Sequence, residues 1–547
     1  MGKILDKCYG SVQDAYRAFP LPPLGSADHL AILLAPACIP VIKRVKKTVK
    51  DIKQWTEEGI SNLNECFEST DWNSLLSTSS NIDEQDDTVS SYISFCVDRI
   101  IPSKTVSIFP NNKPWITKEL KEILNKKKKI FFTGSEHEKK EINREVKRAI
   151  KMAKLKYKDK VEERFTEGNL CSAWLGLKTM ASANTAIATP SGRSIQVESS
   201  TPTSLPDDLN SFYTRFESDN HVQLQEIKSK LSPGNPAFRF RFTMQEVEKT
   251  LKQTKEKSAP GPDHISSRVL RNCAQRLGGV FQTLFQSSMD TSTVPQLWKH
   301  STVTPIPKTS RVKALNDLRP VALTSLPMKA MERILKHHII GALHPQLDPL
   351  QFAYWKGRSV DDAKTFILDM VHRHLEIPNS SARLLFVDFS SAFNTLQPHI
   401  LAGKLTSLFH LDDQIILWIL DFLTNRSQRV LVNNTLSDLL YTSTGTPQGC
   451  VLSPLLFILY TDDCRSIQPD SYMVKYADDT VLLSLLSGPT VYHGQVLQEF
   501  VDWCDTACLE LNVTKTKEMV VSFSNKQRAL VTAASTIIHG QPVELVE

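Results

Sequence analysis

Two short apolar runs, each meeting acid where a strand has to stop or turn, constrain this chain more than any other feature. Residues 384–387 read Leu-Leu-Phe-Val and end in Asp388. A run with no polar member suits a strand buried on both faces, and a carboxylate at its end is tolerable only where a cation or a hydrogen-bond donor meets it. Further on, Tyr472-Met473-Val474-Lys475 and Thr480-Val481-Leu482-Leu483 flank Tyr476-Ala477-Asp478-Asp479, which places two adjacent carboxylates at the tip of an expected hairpin. Anions held this close need a shared proton or a metal, and a hard cation such as Mg²⁺ takes oxygen ligands. Simpler readings exist for each piece: Asp388 as the cap of a helix beginning near Ser390, and Asp-Asp as an ordinary turn pair. The two sets of acids, far apart in sequence, converge only if their strands are neighbours in one sheet.

Between them lies Gly445-Thr446-Pro447-Gln448-Gly449-Cys450-Val451-Leu452-Ser453-Pro454, a loop that enters a helix with an apolar face of Leu452, Leu455, Leu456 and Leu459. Its glycines allow a ligand to approach the backbone closely. From about 236 onward, β-rich runs alternate with helical ones, the pattern of an α+β domain with a mixed or antiparallel sheet. Residues 182–206 are rich in Ser, Thr, Ala and Pro and read as a linker. Residues 113–160 hold seventeen Lys and Arg against seven Asp and Glu, a basic helical arm with an apolar stripe of Ile142, Val146, Ile150 or Ala149, Ala153, Tyr157 and Val161. A solvated helix and a nucleic-acid contact both account for it. The acidic cluster Asp83, Glu84, Asp86 and Asp87 reads as solvated surface.

The 41% hydrophobic content belongs to a globular protein, and even the most apolar segment, 415–423, is broken by Asp421, so no membrane span is expected. The start of the chain has no apolar signal segment, so an intracellular location is expected and the ten cysteines should be thiols. The sequence leaves the oligomeric state open.

Further blocks complete a pattern. Ser258-Ala259-Pro260-Gly261-Pro262-Asp263, Pro305-Ile306-Pro307-Lys308, Asp317-Leu318-Arg319-Pro320-Val321-Ala322-Leu323, Gln351-Phe352-Ala353-Tyr354, Phe386 to Asn394, Gly445 to Pro454, Tyr476 to Asp479 and Leu511 to Lys517 follow one another. In this order they resemble the motifs of reverse transcriptases, specifically the non-LTR (LINE-type) retrotransposon branch. The resemblance implies an α+β right-hand polymerase of fingers and palm over residues 207–547, preceded by a helical basic connector over 49–206. It implies RNA-directed DNA synthesis from deoxynucleoside triphosphates on an RNA template and a DNA primer. Two Mg²⁺ ions, or Mn²⁺, would be held by Asp388, Asp478 and Asp479; Lys308 and Arg319 would cradle the triphosphate; Gln448 and Gly449 would line the floor beneath the templating base and nucleotide. Lys515, preferred over Lys517, would protonate the leaving pyrophosphate. A nuclear or cytoplasmic ribonucleoprotein would be its setting.

Residues 1–48 resemble the last part of an apurinic-type endonuclease domain, with Asp28 and His29 as relics of its site. Residues 537–544 resemble the hairpin before motif E, so motif E and the thumb are expected to be missing. That leaves a second reading from another class: a catalytically silent nucleic-acid-binding relic. Phe393, five positions after Asp388, matches the family's bulky residue beneath the sugar, which closes the space a 2′-hydroxyl would need. Phe393→Val is therefore expected to admit ribonucleotides, measured as the ratio of ribonucleotide to deoxynucleotide incorporation; an unchanged ratio would remove Phe393 from that role.

Overall fold

A computed structural model describes residues 16–21, 31–36, 48–77, 79–108, 115–166, 195, 197, 201, 203–232, 240–309, 312–343, 346–355, 357–487, 491–524 and 536–546. The chain divides into two compact units, one of Met1–Ile52 with Lys104–Arg193 and one of Lys53–Ser103 with Ser194–Glu547.

In the first unit, β1 (Tyr16–Leu21) pairs antiparallel with β2 (Ala31–Pro36), and β3 (Thr48–Lys53) pairs with β4 (Ser103–Ile108). The basic arm is a helical hairpin, Lys118–Thr133 followed by Glu136–Thr166. Its turn is written locally. Gly134 N–H donates to Ile130 O at 2.8 Å, and a Cβ on Gly134 would come within 2.6 Å of Ile130 Cγ2. Ser135 and Glu138 then cap the second helix reciprocally, Ser135 N–H to the Glu138 carboxylate at 2.7 Å and Glu138 N–H to Ser135 Oγ at 3.3 Å. Ile142, Val146, Ala153 and Val161 of the anticipated stripe are buried, as is Leu120 of the first helix.

The second unit is α+β. One sheet has the order β11 (Ser471–Tyr476), β12 (Asp479–Ser487), β7 (Ser380–Val387), β13 (Lys517–Val521), β16 (Glu544–Val546); all its pairs are antiparallel except β13 with β16. The other joins β10 (Leu440–Thr442), β8 (Arg426–Val432), β5 (Ser301–Pro307) and β6 (Leu318–Leu323), with β9 (Thr435–Leu436) beside β8 and the β5–β8 pair parallel. A two-residue ladder links β14 (Ile537–Ile538) and β15 (Gln541–Pro542). Among the described residues no helix is long and apolar enough to cross a membrane; the run around 415–423 is a buried helix, Asp413–Leu423.

Three expectations change. Residues 53–103, read as connector, carry Leu63, Phe67, Val89 and Ile93 into the same core as Leu277, Phe281, Leu335 and Trp418. Their apolar faces are thin and flanked by acids, so the burial does not show in the sequence. The acidic cluster is not uniformly solvated: Asp86 is buried and accepts from Trp298 Nε1 at 2.9 Å, while Asp83 accepts from Gln296 N at 2.6 Å. The linker also ends earlier than residue 206, because Val197 is buried beside Leu205 and Leu209 and a helix begins at Leu205.

Burial, and then the neighbouring Asp263, push the Asp86 carboxyl up to about 7. A group raised on folding contributes stability that is full below its unfolded pKa and is lost as pH rises through its folded value. Asp86→Asn, neutral at every pH, is therefore expected to melt several degrees above the wild type near pH ~8 and to have lost much of that advantage near pH ~5, as read by thermal unfolding at both pH values.

Candidate active site

The antiparallel register of β12 on β7 runs from Ser487 opposite Ser380 to Thr480 opposite Val387. Asp388, the next residue of one strand, and the turn that begins the other thus leave the sheet at the same end. The hairpin β11–β12 closes with Tyr476 opposite Asp479, so Ala477 and Asp478 form a two-residue turn. Ala477 has φ of 59°; positive φ at the first turn position is usually left to glycine.

Asp388 is held on its other flank by the chain before β13. Ser390 N–H donates to Glu510 O and Asn512 N–H to Asp388 O, both at 2.8 Å. A turn from Asn512 to Thr516 then brings Lys515 Nζ to 3.5 Å from Asp388 Oδ2. That carboxylate oxygen is buried and accepts no hydrogen bond among the described residues, and the N-cap of the short helix Ala392–Thr395 is Ser391, not Asp388. Lys517 instead pairs with Glu544.

One open cleft, of about 580 Å³, is lined by Asp388, Asp478, Lys308, Arg319, Phe393, Gln448, Gly449 and Lys515. Asp479 does not line it and is exposed. The cleft also gathers residues to which the sequence reading gave no role, among them Arg215, Tyr354 and Asn512. Arg215 lies over the rings of Phe212 and Phe216, at 3.8 and 4.2 Å from their centroids, and donates to Ser391 Oγ at 3.1 Å. The cluster Phe212 to Phe216 was a visible sign, hidden by its closeness to the supposed linker.

The electrostatics of the cleft are of two kinds. Burial raises the Asp478 carboxyl, Asp388 raises it further, and Arg319 opposes them. Asp479, though exposed, is raised by partial desolvation and then by Asp478 and Asp388. Opposite them, Lys308 is lowered by burial and then by Lys515 and Arg319. The β5–β6 hairpin sets these cations: Ile306 faces Arg319 in its ladder, and Lys308 N–H donates to Asp317 O at 2.8 Å. Crowded anions facing crowded cations in one cleft suit a ligand that carries phosphate together with a metal. Among the described residues no three His, Cys, Asp or Glu side chains cluster as a ready metal cage, so a bound ion would need oxygens from the ligand as well.

The floor is braced from several sides. Ala322 N–H donates to Gln448 O, Gly445 N–H to Leu396 O and Thr446 N–H to Phe393 O, all at 2.7 Å. Phe393 stacks on Phe457, centroids 4.8 Å apart. Buried Arg426 donates to Thr444 O at 2.6 Å and Gly445 O at 3.0 Å. Glu332, 0% exposed, accepts from Val451 and Leu452 N–H at 2.6 and 2.8 Å, which satisfies the N-terminus of the helix Ser453–Tyr460. Neither Arg426 nor Glu332 lies in a motif.

Residues 306–536 match the family described as reverse transcriptase (RNA-dependent DNA polymerase). Over that segment the chain resembles a reverse transcriptase domain. Its matched segment contains every residue of the cleft from Lys308 to Lys515. The chain is 24% identical over 298 residues to the RNA-directed DNA polymerase from mobile element jockey of Drosophila melanogaster, covering 52% of this chain and 32% of that protein. It is 24% identical over 356 residues to the probable RNA-directed DNA polymerase from transposon BS of the same fly, covering 60% and 38%, and 24% identical over 282 residues to that from its X-element, covering 48% and 30%. The chain thus spans roughly a third of the length of the curated relatives it matches. The α+β architecture with mixed sheets is the one anticipated. Asp28 and His29 lie outside the described residues.

Gly449 has φ of 132°, and a Cβ there would sit 2.6 Å from Ala322 O. Gly449→Ala is expected to push the loop off β6 and lower the melting temperature. Gly403→Ala, inside the helix Pro398–Ser407 with Ile227 Cδ1 at 3.8 Å as its nearest neighbour, is expected to raise stability by about 0.5–1 kcal/mol. Denaturant unfolding of the pair checks both signs.

Proposed function

We propose that this chain is the catalytic part of an RNA-directed DNA polymerase of the non-LTR, LINE-type class, extending a DNA primer on an RNA template with deoxynucleoside triphosphates. The observation that carries the reading is the convergence of Asp388 and Asp478 with Lys308, Arg319 and Lys515 around one cleft floored by Phe393, Gln448 and Gly449.

The reaction is attack of the primer 3′-oxygen on the α-phosphate, with release of pyrophosphate. Asp388, whose buried Oδ2 accepts no hydrogen bond among the described residues, and Asp478 are the residues that would hold divalent ions, Mg²⁺ or Mn²⁺, with Asp479 assisting. Such ions, when bound, supply positive charge to the attacking and leaving oxygens. Lys308 and Arg319 meet the negative charge of the triphosphate, and their mutual repulsion is relieved when that anion enters. Lys515, 57% exposed at its side chain and lining the cleft, would give a proton to the leaving pyrophosphate. Phe393, braced by Phe457, closes the space beneath the sugar. The basic helical hairpin of the first unit supplies a surface for nucleic-acid phosphates. The protein would act within an intracellular ribonucleoprotein with its template RNA, nuclear or cytoplasmic.

Primer extension on an RNA template, with deoxynucleotides and Mg²⁺, tests this. Asp478→Asn is expected to lower the rate by a factor on the order of 10³ or more while leaving folding intact. A wild type that extends no better than Asp478→Asn would sink the polymerase reading and leave the nucleic-acid-binding relic.

A further inference from the structure

We infer that Gln351 is a positioning residue for the Asp478 carboxylate, its carboxamide holding the turn on which that carboxylate stands; the inference rests on the polymerase reading above. The β11–β12 ladder ends at Tyr476 and Asp479, so the N–H and C=O of Ala477 lie beyond its last pair. Ala477 is buried, at 9% exposure, and a buried backbone group without a partner costs about as much as a lost hydrogen bond. Gln351 answers both groups. Its Oε1 accepts from Ala477 N–H at 3.0 Å, and its Nε2 donates to Ala477 O at 3.3 Å. The same Oε1 accepts from Ala353 N–H at 3.0 Å.

The carboxamide is itself fixed. Gln351 is 1% exposed and forms a parallel bridge with Lys475 along the outer edge of β11. Lys475 N–H donates to Leu350 O at 2.9 Å, and Phe352 N–H to Lys475 O at 2.8 Å. Beneath this seam the buried Lys475 ammonium pairs with Asp348 at 2.9 Å and donates to Thr461 O and Cys464 O at 2.8 Å each. A non-glycine residue at positive φ is strained and persists only when its surroundings hold it. Gln351 is the side chain that holds Ala477, next to Asp478.

The test compares the full chain with two variants. Gln351→Met keeps length and burial and makes no such bond; Gln351→Glu keeps the acceptor toward the Ala477 and Ala353 N–H groups. In the Met variant, amide hydrogen exchange over 476–479 is expected to rise while that of β7 and β13 stays put. Mn²⁺ affinity should fall about 10–100-fold, as for the loss of a group behind a metal ligand, with the Glu variant in between. The kcat of primer extension should fall on the order of 10²-fold, with the KM for deoxynucleotide and the affinity for template–primer within about twofold of the wild type. Unchanged exchange at the turn, exchange raised equally along β7 and β13, or unchanged Mn²⁺ affinity overturns the inference; if the Met variant does not fold, the Glu variant decides by the same readings. A wild type without primer extension sinks the polymerase reading alone, because exchange and Mn²⁺ binding are measured without catalysis.

Discussion

The pairing of β12 with β7 is the interaction on which the rest of the second unit depends. Side chains alternate along a strand, so a slip of one residue would turn every side chain to the other face and separate Asp388 from the turn at Asp478. Burial locks the register: Leu385 and Leu482, opposite each other in the ladder, are both 0% exposed. The core therefore decides where the carboxylates stand. Having placed two acids at one end of a sheet, it leaves a local excess of negative charge whose relief comes from Lys515 beside Asp388 and Arg319 near Asp478.

The floor of the cleft shows the same division between frame and function. Several of the residues that would touch a nucleotide, Gln448, Gly449 and Asp478, sit on short loops, and those loops are held by groups deep in the protein: Arg426 behind Gly445, Glu332 behind Leu452 and Gln351 behind Ala477. Each is a polar side chain taken out of water, which is costly unless its hydrogen-bonding groups are met. Each meets backbone groups that would otherwise be stranded at a helix end or a turn. A site made rigid in this way has little left to reorganise when charge develops on a substrate.

Much of this was legible from residues alone. The apolar run into Asp388, the hairpin carrying Asp478, the Gly and Pro loop at 445–454 and the apolar stripe of the basic arm are local patterns, and the structure builds them where the patterns lie. Burial of Asp86 was not legible. An acid among acids reads as surface, and only contact with Trp298, more than two hundred residues away, puts it inside. The same holds for residues 53–103, whose helices carry just enough apolar side chains to join a core formed mostly by later segments.

What the sequence determined by itself was the chemistry available: which strands end in acid, which turns carry cations, and where an aromatic follows the first carboxylate. It could do so because strand alternation, turn residues and motif spacing are properties of neighbouring residues. The tertiary structure decided which of these meet. It brought Lys308, Asp388, Asp478 and Lys515 into one cleft, left Asp479 exposed outside it, and set Gln351 and Arg215 behind and beside the acid-bearing end of the sheet. Those outcomes depend on long-range packing and on which buried polar groups find partners, quantities that no single stretch of the chain contains.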